Sequence, residues 1–212
     1  MSGISTYLEN KLIDLILRGQ TYTAPADIYI ALYTCTNGVI ARSTTYAVGN
    51  TAVVLASDNT YHLYTCTAET GATAATAPAF HGVANEVITD GGVTWTEQDS
   101  VLEGGGGTEV TGGGYTRYTT TGALTSWSGT QGLTSTTASS GTSGLSANNA
   151  SISFPQSTAA WAAAPAMVWG VGLYDASTAG NLLGWGPLAT PQNVGSGVTI
   201  TFGVSQLTFS LV

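Results

Sequence analysis

The chain has 212 residues, and 43% of them are hydrophobic, which is enough to bury a sizeable core and argues against disorder throughout. Only 8% are charged, and the formal net charge is -8. The fixed positive charges, on Lys11, Arg18, Arg42 and Arg117, are too few and too scattered to bind nucleic-acid phosphates. No apolar run approaches the roughly 20 residues that span a bilayer, so we expect no membrane insertion.

The weak surface charge also bears on assembly. A charge-poor surface rich in Gly, Ser, Thr and Ala tends to associate with further copies of itself, so we predict a homo-oligomer, and specifically a trimer. The N-terminus lacks a basic stretch followed by an apolar core and a small-residue cleavage site. We therefore expect synthesis in the cytoplasm without a signal peptide.

The first predicted element is an amphipathic helix within the first twenty residues. Thr6 with Glu9 has the form of a capping box, and Gly19 is suited to end the helix. The apolar residues at helical spacing are Ile4, Leu8, Leu12, Leu15 and Ile16. This face either packs on the protein's own β core or contacts another subunit or a protein shell. For the second interpretation the candidate contact residues are Ile4, Leu8, Leu12 and Leu15.

A β-strand is predicted after the helix. Pro25 precedes the apolar run Ile28–Thr34, which ends at the turn dipeptide Asn37-Gly38. The sequence then changes to short strand-like runs separated by loops, about the size of a minimal all-β module. These features predict a β-strand of the main domain, followed by a separate small β unit.

The predicted boundaries follow from this change in composition. Four consecutive glycines, Gly104–Gly107, form a predicted flexible hinge behind the small unit. We therefore predict a scaffold made of residues 1–37 and 104–212, interrupted by an all-β insert at 38–103. Insertions at a hairpin tip are tolerated because the host strands still close on each other.

Apolar runs alternate with turn signals towards the C-terminus. The predicted strands are 148–155, 168–174, 182–188, 198–202 and 207–212. Residues 120–150 are rich in Ser, Thr and Gly and predict a long ordered loop or a pair of weak edge strands. The last two runs alternate strictly between apolar and polar residues, as antiparallel strands with one buried face do. The predicted fold class is mainly β, an antiparallel sandwich of jelly-roll type with a short N-terminal helix.

The two cysteines, Cys35 and Cys66, lie in strand-like runs beside tyrosines. The chain has no CxxC pair and no His or Asp at ligand spacing from either cysteine, so we predict no metal and no cofactor. The main interpretation is two buried free thiols. The alternative is a disulfide between them, formed in an oxidising medium.

Catalytic candidates are few. The candidates are His62, His81 and a dozen carboxylates spread along the chain, and no sequence pattern brings them together. The glycine runs are not phosphate loops, because neither follows a buried strand and opens a helix with a lysine. We predict no catalytic residue and a protein that is not an enzyme.

Six sequence motifs lie outside the insert, and their order along the chain is informative. They are Ile28–Tyr33, Thr108–Arg117, Ile152–Pro155, Trp169–Asp175, Gly180–Leu183 and Leu207–Leu211. This order resembles a family of small virion structural proteins of tailed bacteriophages, often labelled tail fibre or minor structural proteins. The resemblance implies a structural role in the virion, with further copies and the major capsid or tail proteins as partners.

The insert resembles a separate small β module that recurs in phage tail and surface proteins. The resemblance is carried by Tyr46 with Gly49, Tyr64 with Cys66, Pro78 with Phe80, and Thr89–Trp95. The aromatic residues of the insert are Tyr46, Tyr61, Tyr64, Phe80 and Trp95. They are either a platform that stacks on a sugar ring or the core of the insert itself.

Two placements in a virion compete. We predict an oligomeric capsid decoration protein that clamps coat subunits, because no long repetitive shaft or distal tip domain is evident in the sequence. The alternative is a tail fibre or receptor-binding protein that holds a host surface glycan on the insert or on the 120–150 loop.

Overall fold

The computed structural model describes residues 3–98 and 107–210. The described ranges contain one helix and fourteen strands, which confirms the predicted mainly β class. In chain order the elements are β1 (Gly3–Ile4), α1 (Thr6–Leu17), β2 (Asp27–Cys35), β3 (Thr51–Leu55), β4 (Tyr61–Glu69), β5 (Val87–Asp90), β6 (Val93–Glu97), β7 (Thr108–Glu109), β8 (Tyr118–Thr121), β9 (Leu145–Ala147), β10 (Ile152–Ser153), β11 (Met167–Tyr174), β12 (Leu182–Gln192), β13 (Thr201–Phe202) and β14 (Thr208–Ser210).

The scaffold is built on a six-stranded antiparallel sheet. Its order is β1-β12-β11-β2, and β2 pairs on its other side with both β7 and β8. Two small sheets, β10 with β13 and β9 with β14, supply further strands. The main core contains buried residues of the large sheet, of β10 and of the nearby loops: Ile30, Leu32, Val168, Val171, Ile152, Phe154, Val194 and Ile200. This packing is that of the predicted β-sandwich.

The central strand β2 is buried on both faces. Ile30 and Leu32 point into the main core, whereas Ala31 and Tyr33 belong to a second cluster on the opposite side. Both faces of β2 are covered, so its sequence is a continuous apolar run instead of an alternating one. The second cover comes from Val53 and Leu63, which lie in strands of the predicted insert.

The predicted insert has its own sheet and its own core. Its strands pair in the order β3-β4-β6-β5, and a separate cluster of buried residues lies against them. On either side of this unit, Thr34 pairs with Thr108, so the host strands meet where the insert leaves the scaffold. The host-and-insert division, with its boundaries at 38 and 103, stays a prediction. Residue 103 and the hinge glycines 104–106 lie outside the described residues.

Helix α1 begins one residue earlier than the capping-box prediction requires. Ser5 is the N-cap, and its Oγ accepts a hydrogen bond from Leu8 N–H at 3.1 Å. Ser5 N–H donates to Leu183 O at 3.0 Å, which fixes the extended backbone that an N-cap needs. The Thr6 and Glu9 capping box is therefore wrong. Gly19 follows the C-cap residue with a φ of +64°, as predicted for the helix end.

Other strand predictions differ in length. The runs at 148–155, 198–202 and 207–212 are reduced to β10, β13 and β14, and the last two residues of the chain lie outside the described residues. The region 120–150 contains the end of β8, a long loop and the edge strand β9. Both interpretations of that region are therefore partly realised.

Candidate functional site

The exposed face of helix α1 is the first candidate surface. None of its twelve residues is buried. Ile13, Ile16 and Leu17 remain 50%, 72% and 77% exposed, and Leu15 is 44% exposed. An isolated helix of this length is marginal in water, so packing normally supplies its stability. The α1 face, defined here as Ile13, Leu15, Ile16 and Leu17, therefore lacks the cover that such a helix usually has.

The residues predicted for an oligomer or shell contact are only partly on this face. Leu15 belongs to it, whereas Leu8 and Leu12 are half-buried on the inner side of the helix. Ile4 is not helical, because it lies in β1 opposite Gly184. Ile13 and Leu17 are not among the predicted contact residues. Their signal was the local run of apolar residues at 12, 13 and 15–17, which Asp14 interrupts and which extends outside the predicted stripe.

An apolar groove lies between helix α1 and the scaffold. Its volume is about 270 Å³, and it runs between the helix, the segment before β2 and strand β12. The lining residues that matter here are Leu8, Pro25, Ile28, Trp127 and Leu183. Leu8 is the helix residue in this lining, so the groove lies beside the helix, and none of the four residues of the α1 face lines it.

Four of the five predicted platform rings lie in the core of the insert. Tyr46, Tyr64, Phe80 and Trp95 are all buried. Tyr46 packs edge to face on Trp95 with 4.8 Å between ring centroids, and Tyr64 packs in the same way on Phe80 at 5.0 Å. The rings are therefore covered by one another, which is the core interpretation of these residues.

Tyr61 is the ring that differs. It is half-buried at the start of β4, directly after the tight turn that joins β3 to β4. Asn59 in this turn has a φ of +62°, a conformation that asparagine tolerates better than most residues. The turn projects Asn59, Thr60 and Tyr61 towards the scaffold, where they line one wall of a cleft of about 360 Å³.

The rest of the lining comes from the scaffold, where Val171 and Leu173 of β11 contribute beside two longer segments. Trp185 to Ala189 of β12 form one wall, and Gln206 to Phe209 at β14 form the other. We call the space enclosed by residues 59–61, 185–189 and 206–209 the interface cleft. Its residues are far apart in the sequence, so sequence patterns gave no signal for it beyond Tyr61.

A buried histidine lies behind the same turn. His62 Nδ1 lies 3.1 Å from Glu97 Oε1, and His62 Nε2 lies 3.0 Å from Asp58 Oδ2. Each imidazole nitrogen thus lies within hydrogen-bond distance of a carboxylate oxygen. Thr60 Oγ1 is 2.9 Å from Nε2 and 2.8 Å from Asp58 Oδ2. Thr60, His62, Asp58 and Glu97 therefore form one hydrogen-bonded cluster.

The acidic partner in this turn titrates abnormally. Burial raises the pKa of Asp58, but the hydrogen bonds from His62 and Thr60 outweigh it and lower that pKa to about 2. The ionised carboxylate thus helps to hold the turn that carries Tyr61. The His62 cluster positions one wall of the interface cleft.

A second buried charge joins three parts of the scaffold. Arg117 binds Glu109 through two hydrogen bonds of 2.8 and 2.9 Å and stacks on the Tyr174 ring at 3.8 Å. Its remaining donor reaches the carbonyls of Ala176 and Ala179, both at 2.8 Å. Burial lowers the pKa of Arg117, but the pairing with Glu109 outweighs it and raises that pKa above its ordinary value. This cluster holds β7, the segment before β8 and the turn after β11 together.

Cys35 and Cys66 are both free and buried, so the disulfide alternative is wrong. Burial raises the pKa of each thiol, although backbone hydrogen bonds oppose the rise. Within residues 3–98 and 107–210, no group of three or more His, Cys, Asp or Glu residues is arranged to hold a metal ion. In the same ranges no helix has the length and apolar character that crossing a membrane requires.

Comparison with known proteins gives one family. The family model described as Podophage GP4 fiber I protein gp80 matches residues 3–98 and 93–210. The two matches together span nearly the whole chain and include the described part of the predicted insert. A search of the curated proteins finds no match.

Proposed function

Because the chain belongs to the Podophage GP4 fiber I protein gp80 family, we propose that it is a subunit of a phage tail fibre. Membership of this family makes it a structural protein of a phage virion that assembles with other phage components. The fibre placement is the alternative in the sequence analysis, and the family description favours it over capsid decoration. The decoration role stays a prediction.

The observation that carries the proposal is the uncovered α1 face. Four large aliphatic side chains on one short helix stay in water, beside an apolar groove that shares Leu8 with the helix. A surface of this kind on a folded domain marks a contact with another protein. We propose that a second copy of this chain covers the α1 face, as the repeated subunits of a fibre require.

The surface charge supports contact between copies. The four fixed cations are dispersed, and three of them are in ion pairs within the described residues: Arg18 with Asp14, Arg42 with Asp90, and Arg117 with Glu109. Because only 8% of the residues are charged, few charged groups have to be desolvated when one copy meets another. The contact still has to outweigh the repulsion between copies that each carry a net charge of -8. The predicted trimer would give a mass close to three times 21.5 kDa by light scattering.

A fibre is placed to touch the host surface, so a host glycan is the second partner that we propose. The 120–150 loop and the insert were the predicted positions for it. Tyr61 is the one predicted platform ring that remains half-exposed, which favours the insert side.

Gold-labelled antibodies against the purified chain, imaged on intact virions, test the placement. Labels on the tail appendages support the proposal. Labels spread over the head would overturn it in favour of decoration. Disrupted virions serve as the control for antibody access.

A further inference from the structure

The interface cleft has the dimensions of a small-ligand site. Its volume of about 360 Å³ lies at the lower end of the range of about 300–1,000 Å³ that is usual for such pockets. One wall belongs to the predicted insert and the others to the scaffold. Sites at the junction of two structural units are common, because each unit contributes side chains that are already held in place.

Aromatic rings form one part of the lining. Tyr61 and Trp185 are both half-buried, so each keeps some ring surface accessible. They are neighbours, since both also line a smaller cavity with Trp169. A half-buried ring on a supported strand offers a flat apolar surface at little entropic cost.

Neutral hydrogen-bonding groups form the other part. Asn59, Gln206 and Thr208 are exposed in the lining. Gln206 Oε1 accepts a hydrogen bond from Gly203 N–H at 2.6 Å, which orients the side-chain amide and leaves its NH₂ group for a ligand. A pyranose has an apolar C–H face and a rim of hydroxyl groups, so rings combined with amides match it chemically.

The lack of positive charge around the cleft favours neutral sugars over acidic ones. Among the described residues that line the cleft, none has a charged side chain. Asp58, next to it in the sequence, is an ionised carboxylate engaged by His62 and Thr60. The chain as a whole carries a net charge of -8. An acidic sugar would therefore find no cationic partner in the cleft and would be repelled by the surrounding charge.

We propose that the interface cleft binds one or two units of a neutral saccharide, stacked on Tyr61 and Trp185 and hydrogen-bonded by Asn59, Gln206 and Thr208. The biological meaning of this site rests on the proposed fibre function, because a fibre subunit would present the cleft to host glycans.

Saturation-transfer NMR on the full chain tests the proposal. The probes are methyl glucoside, methyl galactoside, N-acetylglucosamine, maltose and cellobiose, with glucuronic acid and N-acetylneuraminic acid as the acidic comparison. We expect transfer to at least one neutral sugar from the first group, quenching or enhancement of tryptophan fluorescence on binding, and no transfer to the acidic pair. If no neutral sugar binds, or if the acidic sugars bind better, the proposal is overturned.

Variants locate the binding. Tyr61→Ala should weaken the affinity about three- to tenfold, the range expected for loss of one stacked ring. Tyr29→Ala removes a half-buried tyrosine that does not line the cleft and should leave affinity unchanged. Because Trp185→Ala removes a ring from the scaffold and can unfold it, Gln206→Ala at an exposed position is the second probe. The control for Gln206→Ala is Gln192→Ala, which removes another exposed glutamine side chain, on the same strand as Trp185. Binding that survives both Tyr61→Ala and Gln206→Ala would place the sugar elsewhere and overturn the proposal.

The mass of each sample, measured in parallel, separates this proposal from the proposed function. A chain that assembles but binds no neutral sugar contradicts the saccharide site alone. A monomeric chain that binds a neutral sugar through Tyr61 supports the site and contradicts assembly through the α1 face.

Discussion

Replacing Ile16 and Leu17 together by serine should dissociate the oligomer without unfolding the subunit. These two side chains are 72% and 77% exposed in the single chain. Full burial of an aliphatic side chain is worth about 1.5–3 kcal/mol, so covering the exposed fractions contributes about 2–4.5 kcal/mol per copy. A factor of ten in affinity corresponds to about 1.4 kcal/mol, so the double variant should weaken association about 30- to 1,500-fold.

Sedimentation velocity over a dilution series measures this change directly. The matched control is Val48→Ser with Val83→Ser, since these side chains are 65% and 60% exposed in the predicted insert. Circular dichroism should show folded protein for both double variants, because side chains that are already in water contribute little to folding. Equal dissociation of the two double variants, or no dissociation of either, would refute the argument that the α1 face joins the copies.

Three further predictions concern stability and reactivity. Arg117→Lys loses the paired hydrogen bonds to Glu109 and the stacking on Tyr174, so we expect the free energy of unfolding to fall by about 2 kcal/mol and the melting temperature in calorimetry to fall by about 4–8 °C. The control is Arg18→Lys in an exposed ion pair, which should change neither the free energy of unfolding nor the melting temperature. Equal effects of the two substitutions would contradict the role of the buried cluster. The folded-state pKa of Asp58 lies below its ordinary value, so its ionised form stabilises the fold above about pH 4 and this contribution is lost as the pH falls towards 2. Urea titrations of wild type and Asp58→Asn should therefore converge in that window, and parallel curves throughout would contradict it. Cys35 and Cys66 are buried, so a thiol reagent should react with both only after unfolding, and fast labelling of the native chain would contradict their burial.

The large strands could be predicted from the sequence because their signals are local. Residues 28–34 and 168–174 form apolar runs bounded by turn residues, and both became central strands of the large sheet. Burial of β2 on both faces could not be predicted in detail. The second face of β2 is buried by Val53 and Leu63, and no local sequence pattern predicts this contact.

The ends of elements were less predictable for a physical reason. The Thr6 and Glu9 spacing fits a capping box, but the pairing of β1 with β12 places Ser5 in the extended conformation and makes it the N-cap. That pairing joins residues near opposite ends of the chain. A tertiary contact therefore decided the first residue of the helix.

The candidate site was predictable only in its separate parts. The aromatic content of the insert was evident, but composition alone could not distinguish a ring in the core, such as Trp95, from a ring at the surface, such as Tyr61. The interface cleft needs Tyr61, Trp185 and Gln206 together, and only the folded chain brings them together. Only Leu15 and Ile16 of the α1 face belonged to the predicted apolar stripe, and the lack of cover over Ile16 required the fold.

Electron cryomicroscopy of the intact virion tests the central claim most directly, at a resolution that traces α1 in each copy. The account predicts copies of this chain in the tail appendages, with Ile13, Ile16 and Leu17 of one copy packed against another. Copies arrayed on the head lattice, or tail copies whose α1 face remains in solvent, would contradict it.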